Sequence, residues 1–302
     1  MLESNIPASA KRAALRQRLA SGELVRMPGA FNPLCARLIQ DKGFEGVYVS
    51  GAVMSADLGL PDIGLTTVTE VSQRAAQIAR VTDLPVLADA DTGWGEPMNV
   101  ARTVQLMEDA GIAGIHIEDQ VNPKRCGHLD GKEVVDDATA VKRIRAAVQG
   151  RRDPDFLIVA RTDIRGVGTL EQTIERAKRL VDAGADAIFP EALASLAEFE
   201  AVCSALDVPV LANMTEFGKS ELFTTRQLAD AGVRIVIFPV SLLRLAMGAA
   251  ERGLDELNQN GTLAGLVPTM QTRARLYELV DYAGYTAFDK GIYNFDLSSN
   301  QG

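Results

Sequence analysis

Eight short apolar runs, each followed by a stretch of helical period, recur along the chain, and that alternation leaves few folds open. The runs cover residues 24–30, 46–50, 85–89, 114–118, 156–161, 187–190, 208–212 and 234–238. Three are introduced by similar text: Glu108-Asp109-Ala110-Gly111, Val181-Asp182-Ala183-Gly184 and Ala229-Asp230-Ala231-Gly232. In each, a helix is expected to end in Ala-Gly, where glycine takes the left-handed conformation and releases the chain into the next strand. The repeating unit is therefore βα. Eight such units, with no Gly-x-Gly-x-x-Gly after the first strand, favour an α/β fold of the (β/α)8 TIM-barrel type over an open doubly wound sheet. A helix near 242–253 and another near 270–283 follow the eighth run. The surplus C-terminal segment, about 269–290, carries Leu276, Leu279, Val280 and Tyr282 as a candidate buried face.

Composition narrows the class of partner. A chain of 302 residues that is 47% hydrophobic and 24% charged can bury a large core, and no low-complexity tract or long linker divides it. One domain spanning 1–302 is expected. The formal charge of -9 and a pI near 4.9 argue against a nucleic-acid or anionic-membrane surface. Cys35, Cys126 and Cys203 are few, odd in number and far apart, no signal-peptide core or membrane-length apolar stretch is present, and a cytoplasmic protein acting on a small molecule is expected.

In a barrel of this type the chemistry gathers at the C-terminal ends of the strands. Those positions hold Tyr48, Ser50 and Gly51; Asp89 and Asp91; His116 and Glu118; Arg161; Glu191; Asn213, Met214, Thr215 and Glu216; and, after the eighth run, Arg244. Asp89 and Asp91 share a strand parity, as do His116 and Glu118, so each pair points one way. Two or three carboxylates with few softer ligands suit a hard cation such as Mg2+ better than zinc. The alternative for Asp89 and Asp91 is capping of the helix at Pro97, and for His116 a satisfied core position. Arg161, Arg244 and Arg273 suit substrate carboxylates, each with a structural ion pair as its alternative. Asn213 and Thr215 add neutral donors unless they cap the next segment.

After the fourth run lies Asn122-Pro123-Lys124-Arg125-Cys126-Gly127-His128. Nearby positive charge favours a thiolate, so Cys126 is a candidate catalytic group, poised by Lys124, Arg125 and His128; a basic surface loop with an incidental cysteine is the alternative.

The run Lys124-Arg125-Cys126-Gly127-His128 resembles the signature of the isocitrate lyase and phosphoenolpyruvate mutase superfamily, in its lyase branch. Further strings carry the same resemblance: Tyr48-Val49-Ser50-Gly51, Gly59-Leu60-Pro61-Asp62, Asp89-Ala90-Asp91-Thr92-Gly93, Glu118-Asp119-Gln120, Asn213-Met214-Thr215-Glu216-Phe217-Gly218 and Met270-Gln271-Thr272-Arg273. They are more similar to the 2-methylisocitrate-cleaving family than to isocitrate lyases, which carry a second lysine where Arg125 stands and are longer. The resemblance implies Mg2+ at Asp89, Asp91 and Glu118, with Asp62 nearby. It implies substrate contacts at Ser50, Gly51, Ala52, Cys126, Gly127, Arg161, Glu191, Asn213, Met214, Thr215, Arg244 and Arg273, and catalytic roles for Cys126, Tyr48, Arg161, Lys124 and His128. The implied reaction is cleavage of 2-methylisocitrate to pyruvate and succinate in the methylcitrate cycle of propionate catabolism, by a homotetramer built from dimers that exchange the C-terminal helix. Ala52 departs from the glycine of several relatives. Related acids, namely 2,3-dimethylmalate, isocitrate or oxaloacetate, are the alternative substrates, and a non-catalytic dicarboxylate sensor is the alternative from another class.

Overall fold

All eight expected strands form, and all their pairings are parallel. In a computed structural model of the protein, the described residues are 4–125, 131–218 and 220–293. The strands are β1 (Val25–Pro28), β2 (Val47–Val49), β3 (Val86–Asp89), β4 (Gly114–Glu118), β5 (Leu157–Thr162), β6 (Ala187–Pro190), β7 (Leu211–Asn213) and β8 (Ile235–Phe238). The helices are α1 (Ala8–Ala20), α2 (Pro33–Asp41), α3 (Gly51–Asp57), α4 (Val68–Arg80), α5 (Pro97–Asp109) and α6 (Asp137–Gly150). They continue as α7 (Leu170–Asp182), α8 (Leu196–Ser204), α9 (Thr225–Asp230), α10 (Ser241–Asn260), α11 (Arg273–Leu279) and α12 (Tyr282–Tyr293).

The strands make two sheets, β1-β8-β7 and β2-β3-β4-β5-β6, with single parallel bridges at both junctions, Gly29 with Tyr48 and Ile188 with Val210. This is the strand order of a TIM-type (β/α)8 fold. Gly111, Gly184 and Gly232 follow α5, α7 and α9 with φ of 78°, 103° and 95°, so the repeated Ala-Gly text does end helices in the left-handed conformation.

Strand parity divides the side chains into two shells. Val47, Val49, Ala88, Ile115, Ile117, Ile158 and Ala160 pack outward in one core cluster that also takes residues of the surrounding helices. Tyr48, Leu87, Leu157, Val159, Phe189, Leu211 and Ile237 form the inner cluster, to which α1 adds Leu15 and Leu19. Full burial of each large aliphatic residue contributes roughly 1.5–3 kcal/mol, so a one-residue slip in any strand would be costly. The same parity, continued past the apolar layer, turns Ser50, Asp89, His116, Glu118, Arg161, Glu191 and Asn213 inward. The site is a consequence of the core.

The C-terminal third departs from expectation. The helix near 242–253 is the longer α10, in which no residue is buried. The single segment expected at about 269–290 is broken: α11 stops at Leu279 because Asp281 has a φ of 54°, and the Asp281 carboxylate then accepts the Gly284 N–H at 3.2 Å as α12 begins. Of the candidate buried face only Leu279 is buried, and Tyr282 is 56% exposed.

Candidate active site

The strand ends enclose a cavity lined by Tyr48, Ser50, Ala52, Asp62, Asp89, Lys124, Arg125, Arg161, Phe189, Glu191, Asn213, Thr215, Ile237 and Arg244, among others. Most of the site residues expected from sequence therefore meet. Ser50 also caps α3 by accepting the Val53 N–H at 3.5 Å.

Asp89 is held by two backbone N–H groups, from Gly51 at 3.2 Å and Asp91 at 2.9 Å. Burial opposes its ionisation, but His116, Lys124, Arg161 and the Asp91 N–H outweigh burial and lower its pKa. Asp91 is pushed up to about 6 by burial and by the Asp89 charge. Neither caps α5, whose N-cap is Glu96. A Cβ on Gly51 would lie 2.8 Å from Asp89 Oδ2 and 3.3 Å from Asp91 Oδ1, so glycine is what allows the backbone this close to both carboxylates. Gly51→Ala is expected to cut turnover by about tenfold or more through displacement of that pair. Steady-state kinetics beside a circular dichroism spectrum would check it, and unchanged turnover would deny the pair a role.

Tyr48 Oη lies 2.6 Å from His116 Nε2 with the rings stacked, and the His116 ring meets the Phe189 edge-on. Burial pulls His116 down to about 4, against the pull of Asp89, whose Oδ1 is 3.7 Å away. Burial and Asp89 raise the Tyr48 phenol well above its ordinary range. The pair is thus a neutral imidazole and a protonated phenol, and His116 Nδ1 has no hydrogen-bond partner among the described residues. His116 is neither a solvent-facing ligand nor a satisfied core residue.

Lys124 is closely paired with carboxylates. Its Nζ lies 2.5 Å from Asp62 Oδ1 and 2.7 Å from Asp91 Oδ1. Burial would lower the ammonium pKa, but Asp91, Asp89, Glu118 and Asp62 raise it well above the usual range. Lys124 is a counter-charge to the carboxylates. Cys126, Gly127 and His128 lie outside the described residues.

Arg161 faces three carboxyl groups. Its Nη1 is 3.3 Å from Glu118, its Nη2 is 3.3 Å from Glu191, and its Nε donates to Asp163 at 3.0 Å. The guanidinium stacks over Phe189 at 5.1 Å. Burial opposes its charge, yet Asp163, Glu118 and Glu191 more than compensate. Burial raises Glu118 well above the carboxylate range despite Arg161 and Lys124. Arg244, which also lines the cavity, donates to Thr215 at 3.2 Å and to Glu216 at 2.8 Å. Two expected contacts are elsewhere: Met214 packs in a further buried cluster with Phe199 and Leu228, and Arg273 is exposed on α11, a helix whose Leu279 carbonyl meets Arg37 of α2. Asp163, at the end of the fifth run, has no assigned role in the sequence reading, and Lys132 and Phe189 are absent from it. For Asp163 and Phe189 the inward parity was the available signal; Lys132 had none.

The donors suit a hard cation in one manner. Glu118 Oε1 is buried and has no hydrogen-bond partner among the described residues, Asp91 Oδ1 faces the Lys124 ammonium at 2.7 Å, and every candidate donor is a carboxylate oxygen. Among the described residues no three such side chains converge closely enough to hold an ion directly. Were Mg2+ to bind here, Asp89, Asp91 and Glu118 would hold it largely through the waters it retains.

Comparison with known proteins identifies relatives of this chain. A family model described as phosphoenolpyruvate phosphomutase matches residues 15–258. A protein of Corynebacterium glutamicum described as probable 2-methylisocitrate lyase 2 is 59% identical over 99% of this chain and 97% of its own length. The 2-methylisocitrate lyase of Aeropyrum pernix is 47% identical over 92% of this chain and 90% of its own. Oxaloacetate acetylhydrolase in complex with the inhibitor 3,3-difluorooxalacetate superposes with a TM-score of 0.89 at 36% identity, covering 97% of this chain and all of that one. For 2,3-dimethylmalate lyase the TM-score is 0.87 at 34% identity, with 96% of each chain covered. Phosphonopyruvate hydrolase in complex with oxalate and Mg++ gives 0.84 at 29% identity, over 93% of this chain and 98% of that one.

Proposed function

This chain belongs to the phosphoenolpyruvate phosphomutase family, and from that premise we propose that it is a Mg2+-dependent carbon-carbon lyase cleaving 2-methylisocitrate to pyruvate and succinate. The observation that carries the reading is the inward convergence of Arg161, Arg244, Thr215 and Asn213, all suited to carboxylate oxygens, beside a carboxylate group fit for a cation. Identities of 59% and 47% to lyases of that name support the substrate.

Cleavage needs the substrate alcohol to lose its proton and the departing carbon to shed its electron pair into its carboxylate. Mg2+, when bound, supplies positive charge that favours loss of the alcohol proton. Tyr48, protonated at rest, takes that proton as it passes its own to His116 Nε2, 2.6 Å away. Arg161 stabilises the growing negative charge on the departing carboxylate, and it is already oriented by Asp163 and Phe189, so little reorganisation is needed as the charge grows. Cys126 then protonates the carbanionic carbon to complete succinate.

The same reading extends to the assembly. Leu245, Met247, Leu254, Tyr282 and Phe288 are exposed on α10 and α12, which supports a homo-oligomer that covers them, a tetramer of paired dimers in this proposal. Among the described residues no helix is long and apolar enough to cross a membrane, and Cys35 and Cys203 are free thiols, as suits an enzyme of propionate catabolism in the cytoplasm.

The test is a substrate panel with Mg2+: pyruvate release from 2-methylisocitrate and from 2,3-dimethylmalate, glyoxylate release from isocitrate, and oxalate release from oxaloacetate. One methyl group is worth about 1–3 kcal/mol in a pocket, so kcat/KM for 2-methylisocitrate is expected to exceed that for isocitrate by about 10- to 200-fold. Preference for 2,3-dimethylmalate or oxaloacetate would move the assignment to the activities of those structural neighbours.

A further inference from the structure

A second buried cation stands behind Arg161. Lys132 Nζ donates to Asp163 Oδ1 at 3.0 Å, with the lysine side chain 2% exposed and the aspartate fully buried. The same Oδ1 accepts Arg161 Nη2 at 3.2 Å, while Oδ2 accepts Arg161 Nε at 3.0 Å. Asp163 is itself fixed from behind, its N–H donating to Asp119 Oδ1 at 2.9 Å. The ammonium end of Lys132 lies where a side chain on Gly166 would have to be: a Cβ there would fall 2.3 Å from Lys132 Cε and 2.5 Å from Nζ.

A carboxylate that grips an arginine also cancels its field, and Arg161 already faces Glu118 and Glu191. A single guanidinium so surrounded would be a weak partner for an incoming dicarboxylate. Lys132 draws on the same Asp163 oxygen, which leaves Asp163 able to orient Arg161 without neutralising it. We propose that Lys132 and Asp163 are positioning residues for this site: Asp163 aims the Arg161 fork, and Lys132 balances Asp163 so that the positive charge of Arg161 remains available to a carboxylate of the substrate. The inference rests on the lyase reading for its catalytic consequence, but its binding consequence does not depend on any reaction.

Calorimetric binding of succinate and steady-state turnover, measured on the full-length protein with Mg2+, test it. Lys132→Met is expected to weaken succinate binding about tenfold and to lower kcat about 10^2-fold, with a smaller rise in KM, as for loss of an interaction used mainly in the transition state. Adding Asp163→Asn to that variant removes the uncompensated charge and should recover about tenfold of the kcat loss, a non-additivity expected only if the two act as one unit. Gly166→Ala keeps both charges but displaces the ammonium, and should weaken succinate binding about threefold; it decides the matter if Lys132→Met does not fold. Succinate affinity and kcat within twofold of the parent in Gly166→Ala, or strictly additive losses in the double variant, would overturn the proposal. If the parent releases no pyruvate from any acid in the panel, the lyase reading fails, while the succinate measurements still decide the role of Lys132.

Discussion

Arg161→Lys is expected to lower kcat by about 10^2- to 10^3-fold, the range seen when one donor to a developing oxyanion is removed. The substitution keeps a positive charge but loses the planar fork. In the structure one edge of the guanidinium, Nε and Nη2, is taken by Asp163, which leaves Nη1 and the remaining Nη2 hydrogen directed at Glu118, Glu191 and the cavity. An ammonium group can satisfy Asp163 or reach the substrate, and it cannot hold both in one plane. The loss therefore falls mainly on kcat. Arg161→Met is the poorer experiment, because three buried carboxyl groups would lose their shared partner and the fold would be destabilised by about 3–5 kcal/mol. A lysine variant with near-parental kcat and an intact thermal transition would remove Arg161 from transition-state stabilisation.

Cys126→Ser is expected to reduce turnover by about 10^2-fold or more while leaving folding and Mg2+ binding nearly unchanged, because a hydroxyl is a far weaker acid than a thiol in the protonation of a carbanionic carbon. Steady-state kinetics and a calorimetric Mg2+ titration of the same preparation separate the two effects. The thiol is expected to be poised chiefly by Arg125 and His128, since the Lys124 ammonium is already paired with Asp62 and Asp91. Turnover within a few fold of the parent would exclude Cys126 as the proton donor.

The barrel was legible because its information is local. Apolar alternation places Leu157 and Val159 inside and Ile158 and Ala160 outside, and carrying that alternation to Arg161 fixes where its side chain points. The same step finds Asp89 beyond Leu87 and Glu191 beyond Phe189. Contacts between distant segments were not legible. Lys124 pairs with Asp62 and Lys132 with Asp163 across loops that carry no periodic signal, so neither ion pair can be read from the sequence. The division of the C-terminal segment turns on one residue, Asp281 at positive φ, in a run whose apolar pattern reads as continuous. Arg273 was placed at the site by resemblance, and in one chain it stands on the exposed face of α11.

The most direct test of the account is product analysis after complete turnover of 2-methylisocitrate in D2O with Mg2+. The mechanism predicts pyruvate and succinate in a 1:1 ratio, succinate carrying a single carbon-bound deuterium at the carbon that left the alcohol, and no product when the metal is chelated. Release of carbon dioxide or acetate in place of succinate, or equal product with and without chelator, would contradict it.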